Sequence, residues 1–211
     1  MLKVHPVFPK DRDRFAPLLH EMFRQRYEAF VEVLKWNIPN ADHENRLEID
    51  AFDGPDTVYL LVMDDDRLVG AQRQNPSTGP TMISVVWSQL CVKSPPVAPN
   101  IWESSRAHMD PSLPPEKRSQ IVSAIICSGI QFARLRGICQ LLMVSGADDM
   151  PRWERRGLMI NPLGPRSEWP GSVDLLPYAI NVTAEQVAAI ERGTGFDRSL
   201  LVVAEGMPLA I

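Results

Sequence analysis

Glu103-Ser104-Ser105-Arg106 sets a carboxylate three residues from a guanidinium. It belongs with three further groups: Glu48-x-Asp50-x-x-Asp53, Arg73 closing an apolar run, and Arg26-x-x-x-Phe30 leading to Trp36. Carboxylates take up protons or hold cations, guanidiniums grip carboxylates, and aromatic rings lie against purines and cations. Their joint occurrence points to a site for a polar, zwitterionic small molecule. Each piece alone also has a plain structural reading. Loop acids are commonly solvated, Asp53 before Gly54 suits a turn, and Arg26 either meets an anionic partner or packs its stem while its head reaches water.

The elements that must position these groups follow from periodicity. Phe15, Leu19, Met22, Arg26, Phe30 and Val33 share a stripe, which predicts one helix over about 11–36. Residues 37–56 are turn-rich. Residues 57–63 and 67–73 predict a hairpin about Asp64-Asp65-Asp66. Residues 83–87 suit a short strand or a turn of helix, and a strand opens at Ile101, with Glu103 and Ser105 on one face and Ser104 and Arg106 on the other. Pro114-Pro115 opens a helix that Gly137 ends, with Ile121, Val122, Ile125, Ile126, Phe132 and Ala133 on its buried face. The apolar run 138–144 reads as a covered strand, 151–156 as a short basic helix, and 159–163 and 176–182 as strands. Thr183-x-x-Gln186 has the form of a capping box, and 200–203 of a last strand. The order predicts an α/β fold, one domain over 1–211, with a mixed central sheet flanked by helices.

The chain has 211 residues, 45% hydrophobic and 23% charged, with a formal net charge of -4. This suits an ordinary globular protein and disfavours nucleic acid as a partner. Three cysteines without framework spacing, no apolar run of membrane-span length and no signal-peptide core near Met1 give a cytoplasmic expectation. A nucleophile elbow, a P-loop and a dinucleotide fingerprint are absent. The histidines lack metal-ligand spacing, and Asp42-His43-Glu44 reads as a solvated loop.

The ordered set Arg26, Phe30, Trp36, Glu48, Asp50, Asp53, Arg73, Glu103, Ser105 and Arg106 resembles the acyl-homoserine-lactone synthases, from the first helix to about Gly157. The chain departs from that pattern after Arg73, where Gln74-Asn75-Pro76 stands in place of leucine and a Pro-Thr pair. It departs again at Ser145-Gly146, where many relatives carry threonine. The resemblance implies a three-layer α/β/α fold like that of the GNAT acyltransferases. It also implies transfer of an acyl group from acyl carrier protein or coenzyme A to the amine of S-adenosylmethionine, then lactonisation with release of methylthioadenosine. S-adenosylmethionine is then a substrate, with no permanent cofactor and no metal. Glu103, Asp50 and Arg106 form the implied catalytic set, with Glu103 the candidate base. Arg26, Phe30, Trp36, Asp50, Asp53, Arg73 and Arg106 form the S-adenosylmethionine set, although Asp50 and Asp53 pairing internally with Arg73 is an open alternative. Met82, Ser105, Leu142, Met143, Ser145 and Trp153 are the acyl-site candidates, with Trp87 and Leu158 beside them. Arg134, Arg136, Arg152, Arg155 and Arg156 form either a donor-docking patch or a solvated face. Another GNAT-type N-acyltransferase and a non-catalytic relative are the competing readings.

Overall fold

The computed structural model describes residues 1–169 and 173–202. The predicted hairpin is present as β2 (Val58–Asp64) and β3 (Arg67–Pro76), paired antiparallel. Alternation sends Val58, Leu60 and Val62 to one face and Tyr59, Leu61 and Met63 to the other, each in its own core. Leu2–Val7, to which the sequence pattern assigned no element, pairs with β2 as β1. The backbone of residues 200–202 hydrogen-bonds to Val4 on β1's other side, while Val203, the end of the last predicted strand, lies outside the described residues. With β4 (Ile101–Met109), β5 (Gln140–Gly146), β6 (Ile160–Pro162) and β7 (Leu175–Asn181), the sheet order is β1-β2-β3-β4-β5-β7-β6.

One junction decides where a site can form. β4 and β5 are parallel and pair only at Ile101↔Gln140, Trp102↔Leu141 and Glu103↔Leu142. Beyond Glu103 the strands part, while β5 stays paired with β7 as far as Gly146↔Leu175. The sheet therefore opens into a cleft starting at Glu103.

Helices cover both faces, as the mixed-sheet expectation requires. The long helix α3 (Pro115–Leu135) lays Ile121, Ala124, Ile125, Phe132 and Ala133 on the face carrying Leu60 and Val62. Burying each large apolar side chain stabilises by about 1.5–3 kcal/mol. Gly137, at φ 65°, ends that helical stretch as expected. On the opposite face lie α1 (Ala16–Tyr27) and the short α2 (Met82–Val85), which resolves the strand-or-helix ambiguity in favour of helix. The helix predicted over 11–36 is shorter: α1 passes at Glu28–Val33 into a π-helical turn. That wider turn breaks the 3.6-residue phase, so Val33 is 62% exposed rather than buried. α4 (Met150–Glu154) and α5 (Ala184–Thr194) complete the fold. Thr183 caps α5 by accepting from the Gln186 N–H at 3.1 Å, but the reciprocal half of the predicted capping box is missing. The Gln186 side chain instead bonds the Gly157 carbonyl and the Met159 N–H at 2.8 and 2.9 Å, tying α5 to the turn after α4.

Candidate active site

α1 presents Arg26 on its sheet-facing stripe, where the guanidinium is 1% exposed. The reading in which its head reaches water is overturned. The loop 37–57 folds back so that Glu48 N–H bonds the Phe23 carbonyl at 3.1 Å, delivering its acids to this cation. Arg26 Nε meets Glu48 Oε2 at 2.5 Å, and its two Nη atoms fork onto Asp53 at 2.9 and 3.1 Å. Arg73, on β3, reaches Asp50 at 2.5 Å and Asp53 at 3.1 Å. Arg106, on β4, reaches Glu48 at 3.0 Å and Asp50 Oδ2 at 2.9 Å, the latter an ion pair off the line of the N–H bond. Three arginines and three carboxylates thus form one closed, charge-balanced, buried network. Burial of six ions is costly, and mutual pairing offsets it only when the set is complete. Burial works against the Arg26 cation, but Glu48 and Asp53 outweigh it and lift its pKa. Burial likewise opposes ionised Asp53, yet Arg26 and Arg73 hold it well below the usual carboxylate range. Asp53 also serves the turn, accepting from the Asp50 N–H at 2.8 Å, and the Tyr59 hydroxyl donates to it at 3.0 Å. Arg12 fixes the end of this loop through the Gly54 and Thr57 carbonyls at 2.6 and 3.0 Å.

The position of Arg106 corrects the alternation expected along β4. The β3–β4 register slips between Ala71↔His108 and Arg73↔Ser105, and Arg106 takes φ 51°. This bulge reverses the parity of the strand, so Arg106 joins Glu103 and Ser105 on the α1 face instead of joining Ser104. A left-handed non-glycine residue stores about 1–2 kcal/mol of strain. His108 steadies it by donating Nδ1–H to the Arg106 carbonyl at 3.1 Å. His108 is buried, and burial lowers its pKa to about 4, so it is neutral at ordinary pH. Its edge meets Phe30 at 6.0 Å between ring centroids, and the Arg106 guanidinium lies 5.6 Å from the centre of the same ring. Phe30 and Trp36 stack on each other with ring centroids 5.1 Å apart and ring planes almost parallel, and Trp36 is half-buried.

Glu103 stands at the fork of the sheet, 2% exposed. One oxygen accepts the Ile83 N–H at 2.6 Å, and the other, Oε1, is buried without a hydrogen-bond partner. Burial raises its pKa, against the N–H groups of Ile83 and Met82 and the charge of Arg73. Arg73 Nη2 is likewise buried and unpartnered, while its Nε donates to Ser105 Oγ at 3.1 Å. A basic carboxylate and a free guanidinium N–H therefore sit beside the network. That arrangement suits a ligand carrying both an amine and a carboxylate.

The other sequence candidates scatter. Met82 is buried against Arg106, and Leu142 packs with Ile83 and Ala179, both on the acid face. Met143, Trp153 and Leu158 belong to the core under α3, and Ser145 Oγ lies 3.1 Å from the buried Tyr178 hydroxyl. Trp87 meets Trp169 edge-on at 6.4 Å. The five arginines do not form one patch. Arg156 bonds Ser119 and Ser123 toward the N-terminal half of α3, beside Arg152 and Arg155, whereas Arg134 lies in that helix's last turn and Arg136 just past it. Between Ser123 and Arg134, eleven residues of helix span about 16 Å. Glu48, part of the acidic motif but given no role by the sequence, is fully buried and bridges Arg26 to Arg106. In the 42–44 loop, Asp42 accepts from Asn45, and His43 Nδ1 lies 2.9 Å from the Tyr27 hydroxyl. Among the described residues there is no cluster of metal-ligand type.

The sequence profile of the autoinducer synthase family matches residues 12–160, which span the whole network and the fork. The chain belongs to the autoinducer synthase family. Isovaleryl-homoserine lactone synthase of Bradyrhizobium diazoefficiens is 31% identical over 163 residues, 76% of this chain and 72% of the relative. An acyl-homoserine-lactone synthase of Pseudomonas aeruginosa is 27% identical over 196 residues, 93% of this chain and 92% of the relative. Among solved structures, the CoA-dependent acyl-homoserine lactone synthase BjaI with SAM and isopentyl-CoA is similar at TM-score 0.85 and 25% identity, covering 96% of this chain and 93% of that one. MesI, another CoA-dependent synthase, is similar at TM-score 0.83 and 27% identity, covering 97% and 100%. This autoinducer synthase is therefore an acyltransferase of the acyl-homoserine-lactone synthase type. Among the described residues no helix is long and apolar enough to cross a membrane.

Proposed function

We propose that the acyl group arrives on coenzyme A and that Glu103 accepts the proton of the S-adenosylmethionine ammonium. The observation that carries this reading is Glu103 itself. It is a buried carboxylate with a raised pKa, fixed by one oxygen and open at the other, where the sheet divides. A base whose pKa approaches the working pH transfers protons efficiently. The freed amine attacks the thioester carbon, the N–C bond forms, the C–S bond breaks, and the thiol leaves. The methionine carboxylate then attacks its own γ-carbon, the bond to the sulfonium breaks, and neutral methylthioadenosine departs.

In this reading Asp50, whose Oδ2 has no hydrogen-bond partner, faces the cationic parts of S-adenosylmethionine, Asp53 shapes the pocket through Arg26 and Arg73, Arg73 Nη2 meets the substrate's carboxylate, and the outward face of Trp36 serves as the stacking surface. Arg26 and Arg106 hold the acids. The similarity to BjaI and MesI, both described as CoA-dependent, supports coenzyme A as carrier. Arg152, Arg155 and Arg156, near the N-terminal half of α3, suit its phosphates. Residues 1–211 act as one domain, in the cytoplasm. Purified protein with S-adenosylmethionine and a panel of acyl-CoA and acyl-carrier-protein donors tests this by release of methylthioadenosine. Turnover with acyl-CoA is expected. Turnover restricted to carrier protein overturns the donor, and no release with any donor overturns the function.

A further inference from the structure

We propose that Gln74 makes the acyl subsite selective for a short acyl chain bearing a hydroxyl near its carbonyl, as in a 3-hydroxyacyl group. The inference rests on the function proposed above. On the acid face, Ile83, Leu142 and Ala179 are each at most 1% exposed and packed together, which fills the space beside Glu103. On the other face the next residues, Ser104 on β4 and Met143 on β5, are no longer joined by a ladder. An acyl chain leaving a thioester at Glu103 therefore passes between the strands toward α3.

What it meets there is polar, in a region otherwise apolar. Gln72, Gln74, Ser104 and Ser128 are all buried, Gln74 completely. Gln72 Nε2 donates to the Ile125 carbonyl at 2.5 Å and Ser128 Oγ at 3.3 Å. Gln72 Oε1 accepts from Ser104 Oγ at 2.9 Å and Gln74 Nε2 at 3.2 Å. Gln74 Nε2 also donates to Ser104 Oγ at 2.9 Å. Every donor of this set is engaged, and the set fixes both amide orientations. What remains is Gln74 Oε1, buried and without a donor. An unmet buried acceptor is a liability that an apolar side chain would avoid. A hydroxyl on the acyl chain satisfies it, whereas a ketone or a methylene does not. The wall is backed by α3: a Cβ on Gly129 would lie 3.0 Å from the Gln72 amide, so Gln72 is packed closely against the helix and bounds the chain's path on that side.

The test compares 3-hydroxybutyryl-CoA, butyryl-CoA, 3-oxobutyryl-CoA and octanoyl-CoA with the purified full chain at saturating S-adenosylmethionine, reading methylthioadenosine and thiol release. The hydroxyacyl donor is expected to exceed the other three in kcat/KM by about tenfold or more, the scale of one hydrogen bond made only by that substrate. Gln74→Met, close in size and without polar atoms, is expected to bring the hydroxyacyl donor down to the level of butyryl-CoA, with S-adenosylmethionine binding by calorimetry retained. Equal rates for the three short donors, a preference for the oxo or octanoyl donor, or an unchanged ranking in Gln74→Met overturns the inference and leaves the function standing. The wild-type ranking decides even where the variant does not fold. Absence of turnover with every donor overturns both.

Discussion

Glu48→Gln removes one negative charge and almost no volume from the centre of the ion network. Glu48 is fully buried and contacts both Arg26 and Arg106, themselves 1% and 9% exposed. After the change three buried guanidiniums face two carboxylates, leaving one positive charge uncompensated. Breaking a buried pair by removing one partner costs about 3–5 kcal/mol. Each kcal/mol lowers Tm by about 2–4 °C in a chain of this size, so a fall of roughly 6–20 °C is expected by calorimetry or thermal circular dichroism. Arg46 and Glu32 supply the control. They pair at 2.8 Å but are 52% and 40% exposed, so Glu32→Gln changes stability by at most about 1 kcal/mol. The double variant Glu48→Gln/Arg106→Gln restores charge balance and is expected to be more stable than the sum of its singles. A Tm for Glu48→Gln within about 2 °C of wild type, or additive singles, would refute the claim that the six ions act as a closed set.

Glu103→Gln is expected to lower kcat by about 10²-fold or more, as loss of a general base does. The wild-type kcat/KM is expected to fall on the acid side, as Glu103 takes up a proton above the usual carboxylate range. Linkage gives the sign for stability: because the folded state binds that proton more tightly, its contribution is present at low pH and lost as pH rises through the raised pKa. Glu103→Gln is thus more stable than wild type at neutral pH, and the gap closes on acidification; a gap that widens in acid contradicts the assignment. His108→Phe keeps the contact with Phe30 but removes the donor to the Arg106 carbonyl. It should raise KM for S-adenosylmethionine by about tenfold, the scale of one lost hydrogen bond, with KM for the acyl donor unmoved and His108→Asn partly restoring it. Gly157→Ala places a Cβ 2.1 Å from the Ala189 carbonyl at φ 91° and should destabilise by about 3 kcal/mol or more, read by denaturant unfolding.

The long-range features were legible where side-chain period matched backbone period. The β2–β3 hairpin alternates cleanly, α3 carries an unbroken apolar stripe between Pro114 and Gly137, and both appear nearly as read. The site's charged residues were visible because ions on an apolar stripe have no local justification. What failed were departures from regular period. The π turn rotated Val33 into solvent, and the bulge at Arg106 moved that arginine to the opposite face; neither has a glycine or proline to announce it. β1 was missed because a six-residue strand containing Pro6 carries little alternation. The acyl candidates divided between two faces because Leu142 and Met143 are neighbours in a strand, and a strand sends neighbours to opposite sides. Glu48 had no assigned role because its importance lies in bridging residues 22 and 58 positions away.

A crystal structure of the chain with S-adenosylmethionine and a non-hydrolysable acyl-CoA thioether tests the central claim most directly. The account predicts the methionine amine within hydrogen-bond distance of Glu103 Oε1, the methionine carboxylate at Arg73 Nη2, and the thioether carbon at the fork between β4 and β5. An amine bound elsewhere, with Glu103 turned away from both ligands, would contradict it.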